Sequence, residues 1–352
     1  MVVVIILAHH ASGNSGKMTG RHFFVRSLTT LITIFGVAVV VFFVIRIAPG
    51  DPISMMLPPG ATDEDIQILK AVYGLDKSLP EQFVIWLKGI AGGDFGTSIS
   101  LRQDVMGLVL GRLPATLELS FVALFVAVFL GGGLAVLGTL RAGSINETAI
   151  DLWNGVSLSV PDFLWGLALI MLLGVWFPVL PVSGRISPSL DLDFSTQFLL
   201  LEAVLRFRFD VIIDLLKHMM LPALALALPL AAIISQVLKQ SLKEVMRMDY
   251  IMLARSKGFS ESRVLLLDGL RNAILPTLTL IGVQFSFLIG GTVIIEKLYS
   301  YEGLGNLAID AVINRDLPLI QGIVLTFAVI FIIINIVIDV LYTMLNPRLR
   351  HG

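Results

Sequence analysis

The chain has 352 residues, of which 56% are hydrophobic and only 14% are charged. Soluble domains are about a quarter charged, so this chain has too little polar surface to cover a globule in water. The net charge of −1 gives no reason to expect nucleic acid as a partner. The lack of cysteine excludes disulfides, thiolate metal ligands and cysteine nucleophiles. The composition therefore predicts a protein whose main partner is the lipid membrane.

Six apolar runs predict the membrane spans, because a bilayer core needs roughly 20 apolar residues per helix. Pro161 and Asp162 lie inside the third run, and Pro222 and Pro229 lie inside the fourth. Neighbouring helices can satisfy the backbone groups that a proline frees, so we expect kinks there rather than breaks. The predicted fold class is an all-α integral membrane protein of about six transmembrane helices. The runs are Phe24–Ile47, Ala115–Leu137, Trp153–Val175, Met219–Leu238, Ile274–Ile295 and Pro318–Leu341.

The residues before the first span form a predicted N-terminal extension over residues 1–20. Met1–Ala8 is apolar, but it is too short to cross a membrane and lacks the basic region of a secretion signal. We expect residues 1–17 to be dispensable for transport, with Met18 as an alternative start. The first transmembrane helix is expected within residues 21–47.

The segment of residues 48–112 is too long for a simple turn. Thr62–Asp65 precedes an apolar-periodic stretch and is typical of a capped helix start. Pro80–Gly89 predicts a second short amphipathic helix. Phe83, Trp86 and Leu87 need burial, which favours a small folded cap, although a disordered loop stays open as an alternative.

The distribution of Lys and Arg predicts the orientation. Basic residues concentrate before the first run, between the fourth and fifth runs and at the C-terminus, whereas residues 48–112 are net acidic. With six spans, the three basic regions share one side. We therefore expect both termini in the cytoplasm of a multi-pass protein of the bacterial inner membrane. The predicted permease core covers residues 113–346 and includes the cytoplasmic loop 239–273, and residues 347–352 form a short tail.

No constellation of catalytic residues stands out. The chain has no G-x-x-x-x-G-K-[ST] phosphate loop and no H-E-x-x-H pair, and its five histidines are scattered. We predict no enzyme activity, no metal and no cofactor.

Five acidic residues lie in or at the ends of apolar runs, where ionisable groups are costly. For Asp151, Glu296 and Asp339 we expect the carboxylate to reach interfacial water. For Glu118 and Asp162, a functional cavity and an interfacial position are left open. None of the five belongs to the row of acids that a proton relay needs.

The loop between the fourth and fifth runs carries the most information. A helix-forming stretch runs from Asp249 into Gly258, where a left-handed stop is easy for glycine. Ser260 can then cap a new helix. We predict two short helices joined by a bend and projecting from the membrane, a shape that can insert into a groove of a soluble partner. The alternative is a basic loop that only enforces topology.

The same loop resembles the cytoplasmic loop of permease subunits in binding-protein-dependent ABC importers. Its pattern D-Y-x-x-x-A-R-x-K-G-x-S-x-x-R-V, followed by R-N-A-x-x-P, is similar to the dipeptide, oligopeptide and nickel branch. Stretches outside the loop resemble the same branch from about Arg21 to Arg350. Met252 and Leu253 depart from the family, which often has acidic and small residues there. The matching stretches are Ile45–Pro52, Tyr73–Asp76, Pro80–Phe83, Gly93–Ser98, Tyr299–Gly305, Asn314–Pro318, Asp339–Tyr342 and Asn346–Arg348.

The resemblance implies a type I ABC importer permease that forms half of a pore for peptides. Its implied partners are a second permease subunit or second copy, two cytoplasmic ATPase subunits and an external substrate-binding protein. Gly258 is expected to make the bend, Ala254 to seat closely on the ATPase and Phe259 to anchor the contact. Arg255 and Lys257 are expected to pair with acids of the partner. The predicted coupling residues are Asp249, Tyr250, Ala254, Arg255, Lys257, Gly258, Phe259 and Arg263.

The resemblance also implies a pathway built from the helices after the first. Isolated polar groups avoid lipid, so we expect cavity-facing positions among Ser157, Ser159, Asp162, Gln236, Gln284 and Ser286. Nickel chelates, glutathione, opines and sugars are alternative substrates. An ion-coupled secondary transporter and a purely structural scaffold are alternative functions.

Overall fold

A computed structural model of the chain describes residues 32–44, 62, 64, 67 and 76–345. Within these residues the regular structure is helical, and one isolated β-bridge joins Thr97 and Asp104. The helix α5 ends in a π-helical turn, and α9 contains another near its start. The helices are α1 Ile32–Val44, α2 Leu79–Ala91, α3 Val105–Leu140, α4 Ile145–Ser159, α5 Asp162–Trp176, α6 Leu199–Leu205, α7 Phe209–Val245, α8 Asp249–Ser256, α9 Glu261–Leu298, α10 Leu304–Ile313 and α11 Leu317–Leu345.

Four of the described helices, α3, α7, α9 and α11, are long and apolar enough to cross a membrane, and the bent pair α4–α5 makes a fifth if it counts as one span. These five coincide with the second to sixth predicted runs. The first predicted run is described only over α1. Three of the helices, α3, α7 and α9, extend well beyond their apolar runs, because an α-helix continues as long as its backbone bonds are made and needs apolar side chains only inside the bilayer.

The third predicted span is broken rather than kinked, so the expectation of a kink at Pro161 was wrong. The helices α4 and α5 meet at 104°. Val160 adopts an extended conformation with φ −98° and ψ 122°, as expected for a residue that precedes proline. Pro161 instead serves as the N-cap of α5. In α7 the helix continues through Pro222 and Pro229, as predicted.

The helix α7 forms the centre of the fold. It packs against α3, α4, α5 and α9, and 67% of its apolar stretch is buried, compared with 28% for α3. The contact between α3 and α7 depends on Gly131, where a Cβ atom would collide with the backbone oxygen of Ala231. Small residues at such a contact let two membrane helices approach closely.

The predicted second short helix of residues 48–112 is present as α2, and it packs on α1. Ser78 and Glu81 form a capping box at its start. The ring of Phe42 in α1 lies 5.1 Å from that of Phe83 and 5.3 Å from that of Trp86. The predicted helix start at Thr62–Asp65 lies largely outside the described residues.

Buried ionic contacts hold two connecting segments against the spans. Arg185 Nη2 lies 2.7 Å from Glu118 Oε2, with both side chains buried, and Glu118 Oε1 accepts a hydrogen bond from Leu200 N at the start of α6. Glu296 was expected to reach interfacial water, and this was wrong. It is buried and accepts hydrogen bonds from Thr116 Oγ1 and Gly305 N, because it satisfies the free amides at the start of α10. The side chain of Asp339 lies outside the described residues.

Candidate functional site: the basic loop and the broken helix

The basic loop, defined here as residues 246–263, connects α7 to α9 and has the predicted bend. The helix α8 ends at Ser256, and Gly258 has a φ of +80°. Ser260 is extended at the start of α9, although its side chain makes no capping hydrogen bond. Two helices joined by a glycine bend were predicted, and the described backbone has this form.

A small apolar core makes the basic loop a folded unit. Ile251, Ala254 and Val264 are buried together, with Met246 packed beside them. Ala254 was expected to seat against an ATPase, but in this structure it faces the loop's own core. Its substitution therefore acts first on the fold of the loop.

Charged and aromatic side chains join the two arms of the bend. Arg255 Nε and Nη2 donate to the two carboxylate oxygens of Glu261 at 2.8 and 3.0 Å, so this guanidinium, expected to pair with a partner, is paired within the chain. The Arg263 guanidinium stacks on the ring of Phe259, 4.0 Å from its centroid. Tyr250 Oη accepts a hydrogen bond from Asn272 in α9. These contacts set the angle between α8 and α9.

The exposed surface of the loop includes apolar side chains of α8. Met252 is 51% exposed and Leu253 is 58% exposed, while Asp249 and Lys257 are exposed beside them. Exposed apolar side chains outside a bilayer mark a contact surface when they cluster. The spacing of residues in α8 indicates which side chains face outward. Ile251 and Ala254 lie three residues apart and share the inner face, so Met252 and Leu253 between them face away from it. The predicted coupling residues do not include Met252 and Leu253.

The six predicted pathway residues differ in their burial and in their hydrogen-bond partners. Ser159 and Asp162 flank the break between α4 and α5; Ser159 is exposed, and Asp162 Oδ1 accepts from Phe163 N. Ser157 is buried in α4, and its hydroxyl has no hydrogen-bond partner among the described residues. Ser286 is buried and accepts from Asn335 in α11 at 3.3 Å, which is a helix–helix contact. Gln236 in α7 is exposed, and Gln284 in α9 is half-buried.

Comparison with known families accounts for this combination of apolar helices and bent loop. The family described as binding-protein-dependent transport system inner membrane component matches residues 106–351, and the description of its N-terminal part matches residues 20–120. The chain belongs to this family. It is therefore a multi-pass protein of the inner membrane and the membrane component of an ABC import system.

Curated relatives match nearly the whole chain. The di/tripeptide transport system permease protein DppB of Pseudomonas aeruginosa is 37% identical, over 94% of this chain and 98% of that one. The dipeptide permease DppB of Escherichia coli K12 is 38% identical over the same shares. The glutathione transport system permease protein GsiC of Escherichia coli K12 is 33% identical, over 93% of this chain and 97% of that one.

A solved structure supports the fold. A chain of the MetNI methionine ABC transporter, in an inward-facing conformation, superposes with a TM-score of 0.51. The match covers 68% of the present chain and 97% of the transporter chain, at 15% sequence identity. It bears out the predicted type I importer permease fold.

Proposed function

We propose that the chain forms one half of the translocation pore of an importer for di- and oligopeptides. An external binding protein delivers the peptide, and two cytoplasmic ATPase subunits supply the energy through the basic loop. The second half of the pore is a related permease or a second copy. The observation that carries the proposal is the basic loop, a folded bend that exposes the apolar side chains of Met252 and Leu253 on a chain that has no phosphate-binding loop of its own.

The proposed topology places both termini and the basic loop in the cytoplasm. Residues 48–112 then lie outside, together with the segment that contains α6. ATP is bound and hydrolysed by the partner subunits, whose differential affinity for two pore states drives alternating access. Ser159 and Asp162 are the proposed pathway positions that flank the break between α4 and α5.

Peptides are the proposed substrates because the relatives with the higher identities are named for dipeptide and tripeptide transport. Glutathione is the second candidate, since a glutathione permease is 33% identical. The binding protein that works with this permease decides between them. Its ligand is identified by mass spectrometry of the purified protein and checked by uptake of labelled dipeptide and labelled glutathione.

The basic loop is tested by adding charge to its outward surface. Met252→Glu and Leu253→Glu together should abolish co-purification of the ATPase, because two carboxylates would enter an apolar contact. Leu205→Glu is the matched control, since Leu205 is an apolar residue of α6 that is 68% exposed, in a segment proposed to lie outside. Retention of the ATPase by the double variant would contradict the proposed docking surface.

A further inference from the structure

A row of polar side chains joins the antiparallel helices α4 and α7. Lys243 Nζ lies 2.7 Å from Glu147 Oε1. One turn further, Lys239 Nζ lies 2.9 Å from Glu147 Oε1 and 2.6 Å from Asp151 Oδ1. Asn154 Nδ2 then donates to Ser235 Oγ at 3.0 Å. We call this row the polar seam.

The residues of the polar seam recur at regular intervals along one face of each helix. Glu147, Asp151 and Asn154 are four and three residues apart, so they share one face of α4. Lys243, Lys239 and Ser235 descend in steps of four along α7. Asp151 was expected to reach interfacial water; its side chain is 53% exposed, and both of its carboxylate oxygens also accept from Lys239.

Along α7, burial of the polar seam increases from the basic loop towards the helix break, whereas Asp151 of α4 is 53% exposed. The side chain of Lys243 is 47% exposed and that of Lys239 is 7% exposed, whereas Asn154 and Ser235 are fully buried. A buried ammonium that loses its carboxylates is strongly destabilising. The two helices therefore have one favourable register, and a slide by one turn would separate Lys239 from at least one of its acids.

The ends of the polar seam lie at the two parts of the candidate site. At one end α7 runs directly into the basic loop, where Met246 packs against the loop's core. At the other end α4 stops at Ser159, and Val160 and Pro161 separate it from the start of α5 at Asp162. A movement of the basic loop can therefore pass through α7 into α4 and so reach the break, beside the direct contact of α7 with α5.

We propose that the polar seam makes α4, α7 and the basic loop one rigid body, which carries movement of the loop to the hinge at Val160 and Pro161. Lys239 is its central positioning residue. This inference rests on the proposed function, because the movement is imposed by the ATPase. Salt bridges and rigid helices of this kind are physical carriers of coupling between distant sites.

Cross-linking tests the rigid body directly, since the chain has no cysteine of its own. Asn154→Cys and Ser235→Cys place two thiols where side chains already touch, and an oxidant then closes a disulfide across the seam. A rigid seam predicts that the oxidised complex transports within about twofold of the reduced complex. A loss of transport that a reductant restores would show that α4 and α7 must slide, and would overturn the proposal.

Substitution of Lys239 provides the second measurement. In the assembled complex with its ATPase and binding protein, Lys239→Met should lower the substrate transported per ATP hydrolysed by about tenfold, the scale of a typical coupling energy. Lys239→Arg, which keeps the charge, should restore most of it. Lys217→Met is the matched control, since Lys217 is an exposed lysine near the other end of α7. An unchanged ratio in Lys239→Met would also contradict the seam.

The two experiments separate this inference from the proposed function. Lys239→Met can fail to fold, in which case the cross-linked pair decides alone. If the inference about the polar seam is wrong, the complex still assembles, but the disulfide blocks transport or Lys239→Met leaves the ratio of transport to ATP hydrolysis unchanged. Failure of the proposed function appears earlier, because the unmodified chain would then not assemble with an ATPase.

Discussion

Gly258 shows how much one residue decides in the basic loop. Its φ of +80° lies in the left-handed region, and a Cβ atom there would meet nothing within 4 Å. Substitution is therefore opposed by backbone strain rather than by a collision, and this strain costs about 1–2 kcal/mol for an ordinary L-residue. A β-branched residue is a still stronger outlier.

We expect Gly258→Val to open the bend and to lose most of the bound ATPase in a co-purification assay. Gly258→Asn is the matched control, because asparagine tolerates the left-handed region better than most residues, and it should retain much more. Both variants should insert into the membrane in normal amounts, since the apolar helices are unchanged. Equal ATPase binding by the valine and asparagine variants would contradict a role for the positive φ.

The stabilisation that Glu202 contributes to the folded state depends on pH. Hydrogen bonds from the hydroxyl of Thr196 and the backbone amide of Ser195 lower the pKa of Glu202 to about 2. In an unfolded chain the pKa of glutamate is about 4.3. A group with a lowered pKa in the folded state stabilises it above the unfolded value and loses this effect as pH falls through the folded value.

Hydrogen exchange checks this pH dependence. After correction for the intrinsic exchange rate, protection of the amides of Ser195 and Thr196 should be constant above about pH 5 and should fall between about pH 4 and pH 2. Glu202→Gln should be less protected at neutral pH and should lack this decrease. The same decrease in the glutamine variant would assign the titration to another group.

At the scale of single elements, the connecting segment of residues 177–208 depends on one buried ion pair. The side chains of Arg185 and Glu118 are 6% and 7% exposed, and Arg185 also donates to Gln197 O. Removal of one member leaves the other charge without its partner in a buried place, which typically costs about 3–5 kcal/mol. Replacement of both members by apolar residues costs much less stability.

Thermal unfolding in detergent tests this pair. Glu118→Leu and Arg185→Met should each lower the unfolding temperature clearly, whereas the double variant should recover most of the loss. Arg112→Met is the control, because the Arg112–Glu302 pair is exposed at 40% and 64% and such pairs contribute about 0–1 kcal/mol. Additive losses in the double variant would show that the two residues act independently.

At the scale of the whole molecule, the proposed orientation rests on the distribution of Lys and Arg. Phe207, between α6 and α7, is 76% exposed, and Leu253 in the basic loop is 58% exposed. A membrane-impermeant maleimide should label Phe207→Cys in intact spheroplasts, but Leu253→Cys only after permeabilisation. The reverse pattern would invert the proposed topology.

The sequence alone determined the features that depend on neighbouring residues. The apolar runs after the first coincide with described helices, because span length depends only on consecutive side chains. The bend of the basic loop was predictable for a similar reason, since one glycine supplies the conformation that its neighbours disfavour. Val160-Pro161 also carries a local signal, but the sequence does not show whether neighbouring helices restore the lost backbone bonds or leave a break.

Only the tertiary structure decided which polar side chains meet. Lys239 and Asp151 are 88 residues apart, and Arg185 and Glu118 are 67 apart. Their pairing depends on how helices pack, and no local pattern encodes it. The same reason explains Glu296, which lies in the interior 180 residues away from its partner Thr116, and Ala254, whose inward position depends on contact with Val264. Burial is a property of the assembled helices, so the electrostatic role of a membrane residue follows from its neighbours in space.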